Sequence, residues 1–324
     1  MAWICERVPS NSNTIPDFHD DSRLRSPLNA SWISLATIRA FLWTLLVALW
    51  MTGPCAGFAQ AQTTGPPQET LEQEFTDPLT TLPQFFLKDV YSPANYGTAA
   101  QTNTLVARAI IPRIRRFLLL PFDQFIRPTF QLVTVPSARG GTRTEFGDLP
   151  LFDVALLPWP DQNTGIKIGL GTTFVFPTAT SRSAGQGAWQ AGPALGAIYT
   201  GIPGLLVGFL FQNPISFAYT SPNRRPQNTV EFQPALSLHV WRGWYLRSAD
   251  ATWTSGWRRH SPTMLPLSFG VGDVMVRPGL PPLNFYVAGQ WMVYRQFSPI
   301  APQTSVIFGV TVAFPELRDW WNQP

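Results

Sequence analysis

The residues whose types could do chemistry are few and scattered. His260 adjoins Ser261 and follows Asp250, a set that in some membrane barrels supplies a base, a nucleophile and an orienting carboxylate at the outer rim. Nothing in their spacing activates them, so a polar loop is the plainer reading. Glu145, Asp148 and Asp153 could pass for an acid–base group, but they read as a turn and a lumen-facing charge. Gly169-Leu170-Gly171 is a fragment of a dinucleotide-binding pattern, better explained by small residues on a crowded face. With no phosphate loop, metal-ligand pair or Gly-x-Ser-x-Gly elbow, no catalytic residue, cofactor or metal is expected. A different chemistry suits Lys167, Glu231, His239, Gln290 and Arg295. These offer charge and hydrogen bonds to a passing solute, or to one another as a network that plugs a narrow barrel.

Those five must be positioned by strands, because the sequence around them alternates with a period of two. In residues 230–241, Val230, Phe232, Pro234, Leu236, Leu238 and Val240 share a face opposite Glu231, Gln233, Ala235, Ser237, His239 and Trp241. In 283–296, Leu283, Phe285, Val287, Trp291 and Val293 oppose Asn284, Tyr286, Gln290, Tyr294 and Gln296. The same pattern sets Ile166, Ile168, Leu170, Phe174 and Phe176 against Lys167, Gly169, Gly171 and Thr173, and Val306, Phe308, Val310 and Val312 against Ser305, Gly309 and Thr311. These runs last roughly ten to twelve residues, enough for a strand tilted by about 40° to cross a membrane. A soluble sandwich would also alternate, but with shorter strands. The expected fold is all-β, an antiparallel transmembrane β-barrel of about 12 strands, with 10 as the alternative. Alternation is least distinct across residues 105–135.

Composition agrees with a lipid boundary. Only 13% of residues are charged, aromatics reach 13%, and Lys88 and Lys167 are the only lysines. The net charge of +4 is spread in short clusters without a nucleic-acid-binding motif, so no nucleic acid is expected as a partner. From residue 104 to Phe314 no apolar run approaches the roughly 20 residues of a membrane helix.

Along the chain, residues 1–37 read as an irregular extension and 38–61 as a secretory signal. The apolar run 40–51 follows Arg39 and precedes Ala59-Gln60-Ala61, the cleavage pattern, although an uncleaved anchor would share much of this layout. Cys5 and Cys55, the two cysteines, fall within the removed part, leaving no disulfide or thiol chemistry. A lipid-modified Cys55 is disfavoured by Pro54 before it. Residues 62–104 read as a periplasmic leader or partial plug, 105–314 as an outer-membrane barrel, and 315–324 as a tail.

The last strand carries an insertion signal for barrel-assembly machinery in Gly309, Val312 and Phe314, although the chain runs on past the aromatic residue. Several ordered segments resemble the outer-membrane transporters related to the phenol-degradation meta-pathway proteins. They are Phe146-Gly147-Asp148, Phe176-Pro177-Thr178, Gly185-Gln186-Gly187-Ala188-Trp189-Gln190-Ala191-Gly192-Pro193, Phe232-Gln233-Pro234, Gly243-Trp244-Tyr245-Leu246 and Leu265-Pro266-Leu267-Ser268-Phe269-Gly270-Val271-Gly272. Ala179 stands where that family often has glycine. The resemblance implies a channel or transporter of the Gram-negative outer membrane for small solutes, aromatic or apolar ones among them. The alternatives are a structural or adhesive barrel with a closed lumen and, behind that, a rim enzyme. Expected partners are outer-membrane lipid, the insertion machinery and small solutes.

Overall fold

Period-two sequence gives period-two structure. The computed structural model describes residues 68–112, 122–137, 141–158, 165–248, 250–258, 260–298 and 300–317. The expected extension, signal, both cysteines and residues 318–324 lie outside them. The first element is a helix, α1 (Gln68–Thr76). The strands of the first half are β1 (Gln84–Tyr96), β2 (Thr102–Pro112), β3 (Gln124–Pro136), β4 (Thr142–Phe146), β5 (Leu149–Leu156), β6 (Ile166–Phe176) and β7 (Ala188–Ile202). Those of the second half are β8 (Leu205–Gln212), β9 (Ile215–Tyr219), β10 (Thr229–Trp241), β11 (Trp244–Arg247), β12 (Trp253–Gly256), β13 (Thr263–Met275), β14 (Leu283–Gln296) and β15 (Ala301–Ala313).

Every neighbouring pair is antiparallel, and β15 returns to pair with β1 from Gln84↔Ala313 to Tyr96↔Ala301. The sheet therefore closes on itself and leaves no edge. Three crossings are shared by two strands each, β4 with β5, β8 with β9, and β11 with β12, so the wall has twelve crossings. We call the end beside Gln84 and Ala313 the near end and the opposite one the far end.

The wall's outer face is apolar. Leu236, Leu238, Val240, Val287, Trp291 and Val293 are all more than 40% exposed, while Ser237, Asn284, Tyr286 and Ser305 on the opposite parity are buried. So large an exposed apolar surface is what a lipid-facing wall requires and what a water-soluble domain avoids. The four alternating segments keep the faces their sequences specify as far as Val240 in β10 and Met292 in β14; a register shift after His239 pairs Trp241 with outward Trp244 and leaves it exposed instead of inward. Beyond Met292, an extra residue in β14 shifts the register, so that Leu265 faces Tyr294 while Pro266 faces Met292. A one-residue bulge exchanges the two faces of a strand. Tyr294 is therefore exposed rather than inward, and Arg295 stands opposite Met264.

The barrel starts earlier than residue 105. β1 and the first residues of β2 lie within the segment expected to be leader, and only α1 and residues 77–83 precede the wall among the described residues. Alternation is blurred there because the inward face of β1 mixes Phe86 and Val90 with Gln84, Lys88 and Ser92, and because Pro93 falls at a register shift. Asp153 also departs from expectation. It lies between Phe152 and Val154, which are buried inward, and so takes the outward parity.

Candidate functional site

The lumen is the place where polar side chains converge. Its near half is occupied by the chain itself. Leu71 and Phe75, four residues apart on α1, bury one helical face against Tyr245, Val274 and Ala313, together with Leu82. The helix stops at Pro78, which has no N–H to continue it, and the Asp77 carboxylate accepts from the Leu79 N–H at 2.7 Å. Leu79, fully buried, joins an apolar cluster with Ile110, Phe125, Phe152, Val154, Ile198, Leu206 and Leu210. It rests on Gly169 and Gly196, which face each other across β6 and β7. A Cβ on either would lie under 3.0 Å from its methyl groups.

Polar contacts fix the plug further. Glu72, buried, pairs with His239 of β10, and Asp77 pairs with Lys167 of β6 at 2.7 Å. Burial pushes the Asp77 carboxyl above its ordinary pKa, with the Lys167 ammonium opposing that rise. Two of the five sequence candidates, Lys167 and His239, thus hold the plug.

Above the plug, the middle of the lumen is a charged belt. Asp250 lies in the gap between β11 and β12, with φ +51°, a left-handed conformation that Asp tolerates better than most residues. The gap lets its side chain reach Lys88 Nζ at 3.0 Å and Arg247 Nη2 at 3.2 Å, while Gln233 Nε2 donates to it at 3.1 Å. Tyr286 O–H donates at 3.5 Å. Gly309 lets the Tyr286 ring lie flat on β15, since a Cβ there would meet the ring at 2.0 Å.

Arg108 and Arg127 complete the belt. Arg108 Nε donates to Thr129 Oγ1 at 3.3 Å, and the Arg127 guanidinium stacks on Phe152 at 4.5 Å. With Gln233, these two arginines line two cavities of the lumen. One cavity, about 660 Å³ including its open part, is bounded by Phe75, Thr76, Asp77 and Pro78 of the plug. The other, about 690 Å³ on the same measure, extends toward the far end between Gln131, Thr173, Gln212 and Glu231. The arginines therefore form a waist, a shared boundary, between a chamber walled by the plug and a roomier far one.

Glu231 lines the far chamber, where its carboxylate accepts from Gln212 at 3.0 Å. Gln290, opposite Ser268, and Arg295, stacked on Tyr96 at 4.4 Å, lie away from both chambers. The five candidates do not form one site. Lys88, Arg108, Arg127, Arg247 and Asp250 were missed as lumen residues, four of them in the stretch where apolar inward residues mask alternation or in the strand break. The available signal was that charges at 88, 108 and 127 interrupt otherwise apolar strands.

The rim arrangement of His260, Ser261 and Asp250 is not assembled. Asp250 is bound in mid-lumen, whereas the His260 ring packs edge-on against Phe297 at 4.9 Å. Three of the segments that carry the family resemblance, those at 146–148, 176–178 and 185–193, meet at the far rim. Asp148, in the break between β4 and β5, accepts from the N–H groups of Ala179 at 3.2 Å and Gln186 at 2.6 Å. Thr178 Oγ1 donates to the Gly147 carbonyl, and Phe176 packs edge-on against Trp189. The motif residues thus tie the 177–187 loop onto a broken strand.

Among solved structures, an outer-membrane channel from Pseudomonas putida F1 superposes with a TM-score of 0.51 at 12% identity, covering 74% of this chain and 98% of that one. The fold is that of an outer-membrane β-barrel. A FadL homologue from Pseudomonas aeruginosa (TM-score 0.36, 10% identity, 75% and 93% covered) and a bacterial polysaccharide outer-membrane secretin (0.35, 13%, 72% and 99%) align more loosely. No family model and no curated protein matches the sequence.

Proposed function

We propose that the chain is an outer-membrane channel for small solutes, apolar or aromatic ones among them, closed at its near end by its own α1 plug. The observation that carries this reading is the sequence of far chamber, arginine waist and plugged chamber inside a lipid-facing wall. Channels of this kind select by the groups lining their narrowest point. The likeness to an outer-membrane channel and the segments similar to phenol-degradation meta-pathway transporters support it. Planar-bilayer recording with the purified chain tests the proposal. Current should be small for the intact protein and at least about fivefold larger after deletion of residues 68–83, as expected when a lumen element is removed. A deletion variant that folds and remains silent overturns it.

A second reading, a closed-lumen structural or adhesive barrel, is favoured by one feature. The cluster around Leu79 fills the near half with fully buried apolar side chains. Silence of both the intact and the deleted form would select this reading.

A further inference from the structure

We propose that Arg108 and Arg127 form an anion-binding waist that selects small carboxylates bearing an apolar or aromatic body; this rests on the channel reading above and names its solute class. Arg127 is only 6% exposed, lines both chambers, and its Nε has no hydrogen-bond partner. Its described contact is the face of Phe152, which satisfies the cation's π side and leaves its planar edge of donors unused. Arg108 spends Nε on Thr129 and lies over the Phe86 ring at 5.4 Å. Neither arginine has a carboxylate at ion-pair distance among the described residues.

Asp250 and Glu231 act on these arginines only from beyond ion-pair distance, and Asp250 is already bound to other cations. Asp250 receives Lys88, Arg247, Gln233 and Tyr286, and Glu231 receives Gln212. Four cations therefore face two carboxylates in this belt, and the surplus positive charge lies on the pair that borders both chambers. A buried guanidinium edge without a partner is costly, and a carboxylate matches its fork with two parallel hydrogen bonds. What adjoins the edge sets the rest of the ligand. Phe152, Pro150, Val175 and Pro214 supply apolar wall beside the arginines in the far chamber. An anion with an apolar body fits both surfaces, whereas inorganic phosphate fits only the first.

Binding is measured on the full chain in detergent micelles by calorimetry with benzoate, benzyl alcohol and inorganic phosphate, folding being checked for each variant by heat-dependent gel migration. Benzoate should bind at least about tenfold more tightly than either other probe, and Arg127→Gln should weaken it about tenfold, a difference of roughly 1.4 kcal/mol. Arg127→Lys, which keeps the charge and loses the fork, should fall between. Equal binding of benzoate and benzyl alcohol overturns the assignment, as does a folded Arg127→Gln chain with unchanged benzoate affinity. Phosphate binding as tightly as benzoate overturns the selection for an apolar body. Should Arg127→Gln not fold, Arg108→Gln is held to the same criterion. Micelle binding needs no conduction. A barrel that binds benzoate but passes no current refutes the channel reading alone, and one that conducts without binding benzoate refutes this assignment alone.

Discussion

On the near side of Arg108 and Arg127 the lumen contains Leu79, Ile198, Leu206 and Leu210 at about 1% exposure or less, while on the far side Gln131, Thr173, Gln212 and Glu231 surround open space. The same wall supports both. The outer face stays apolar from end to end, because lipid imposes one requirement on every outward residue. The inner face has no single solvent to obey. Where the chain folds back inside, it becomes a protein core with tight packing, and where it does not, it stays polar and roomy. A barrel interior is thus two environments divided at a charged belt.

The largest test of that division is at the belt. Asp250→Ala leaves Lys88 and Arg247 buried without their counter-ion and should destabilise the barrel by about 3–5 kcal/mol, the usual cost of breaking a buried pair from one side. The temperature at which gel migration shifts from folded to unfolded is the readout. A change indistinguishable from wild type would mean the two halves are not joined there.

Leu79→Ala tests whether the near half behaves as a core. Removal of a fully buried Leu side chain should weaken plug docking by about 2–5 kcal/mol and raise hydrogen exchange at α1 without altering exchange in β14. Uniform loosening of the whole barrel would argue against a separable plug.

The Asp77→Asn variant has a smaller effect with a definite sign. Because burial raises its folded pKa above the ordinary 3.8, the Asp77 contribution to docking is complete below that value and declines as pH rises through the raised one. Plug docking in the wild type should strengthen on acidification through this window, and Asp77→Asn, which keeps an acceptor for the Leu79 N–H, should lose that part of the dependence. Protease protection of α1 measured against pH gives the answer; a retained slope assigns it to other groups.

At the far side, Gln131→Ala should change stability by less than about 0.5 kcal/mol, since this half-buried side chain borders a cavity rather than a packed core. A larger loss would show that this half is also a core.

The difference between halves also explains what could be read beforehand. The faces of β6, β10, β14 and β15 were legible because lipid enforces apolar outward residues and the inward ones there are polar or small. β1, β2 and β3 were indistinct because Phe86, Val106, Ile110 and Phe125 turn apolar side chains inward toward other chain segments, which cancels alternation without changing strand geometry. The belt was invisible for the same reason. Arg108 and Arg127 lie in that blurred region, and the meeting of Lys88 with Asp250 is a contact between residues far apart in sequence. The bulge after Met292 was beyond reach too, since an extra residue changes the face without changing the composition.

The seam between β1 and β15 joins the beginning of the wall to its end, and the Phe314 N–H donates to the carbonyl of Pro83, the last residue of the plug segment, at 2.8 Å. Pairing of that kind is the most non-local contact a chain can make, and its loop-closure entropy must be met before any seam bond forms. Ala313 packs in the same cluster as Leu71, Phe75 and Leu82. Closing the wall and seating the plug thus share atoms around Ala313, so a change that opens the seam there should loosen the stopper as well.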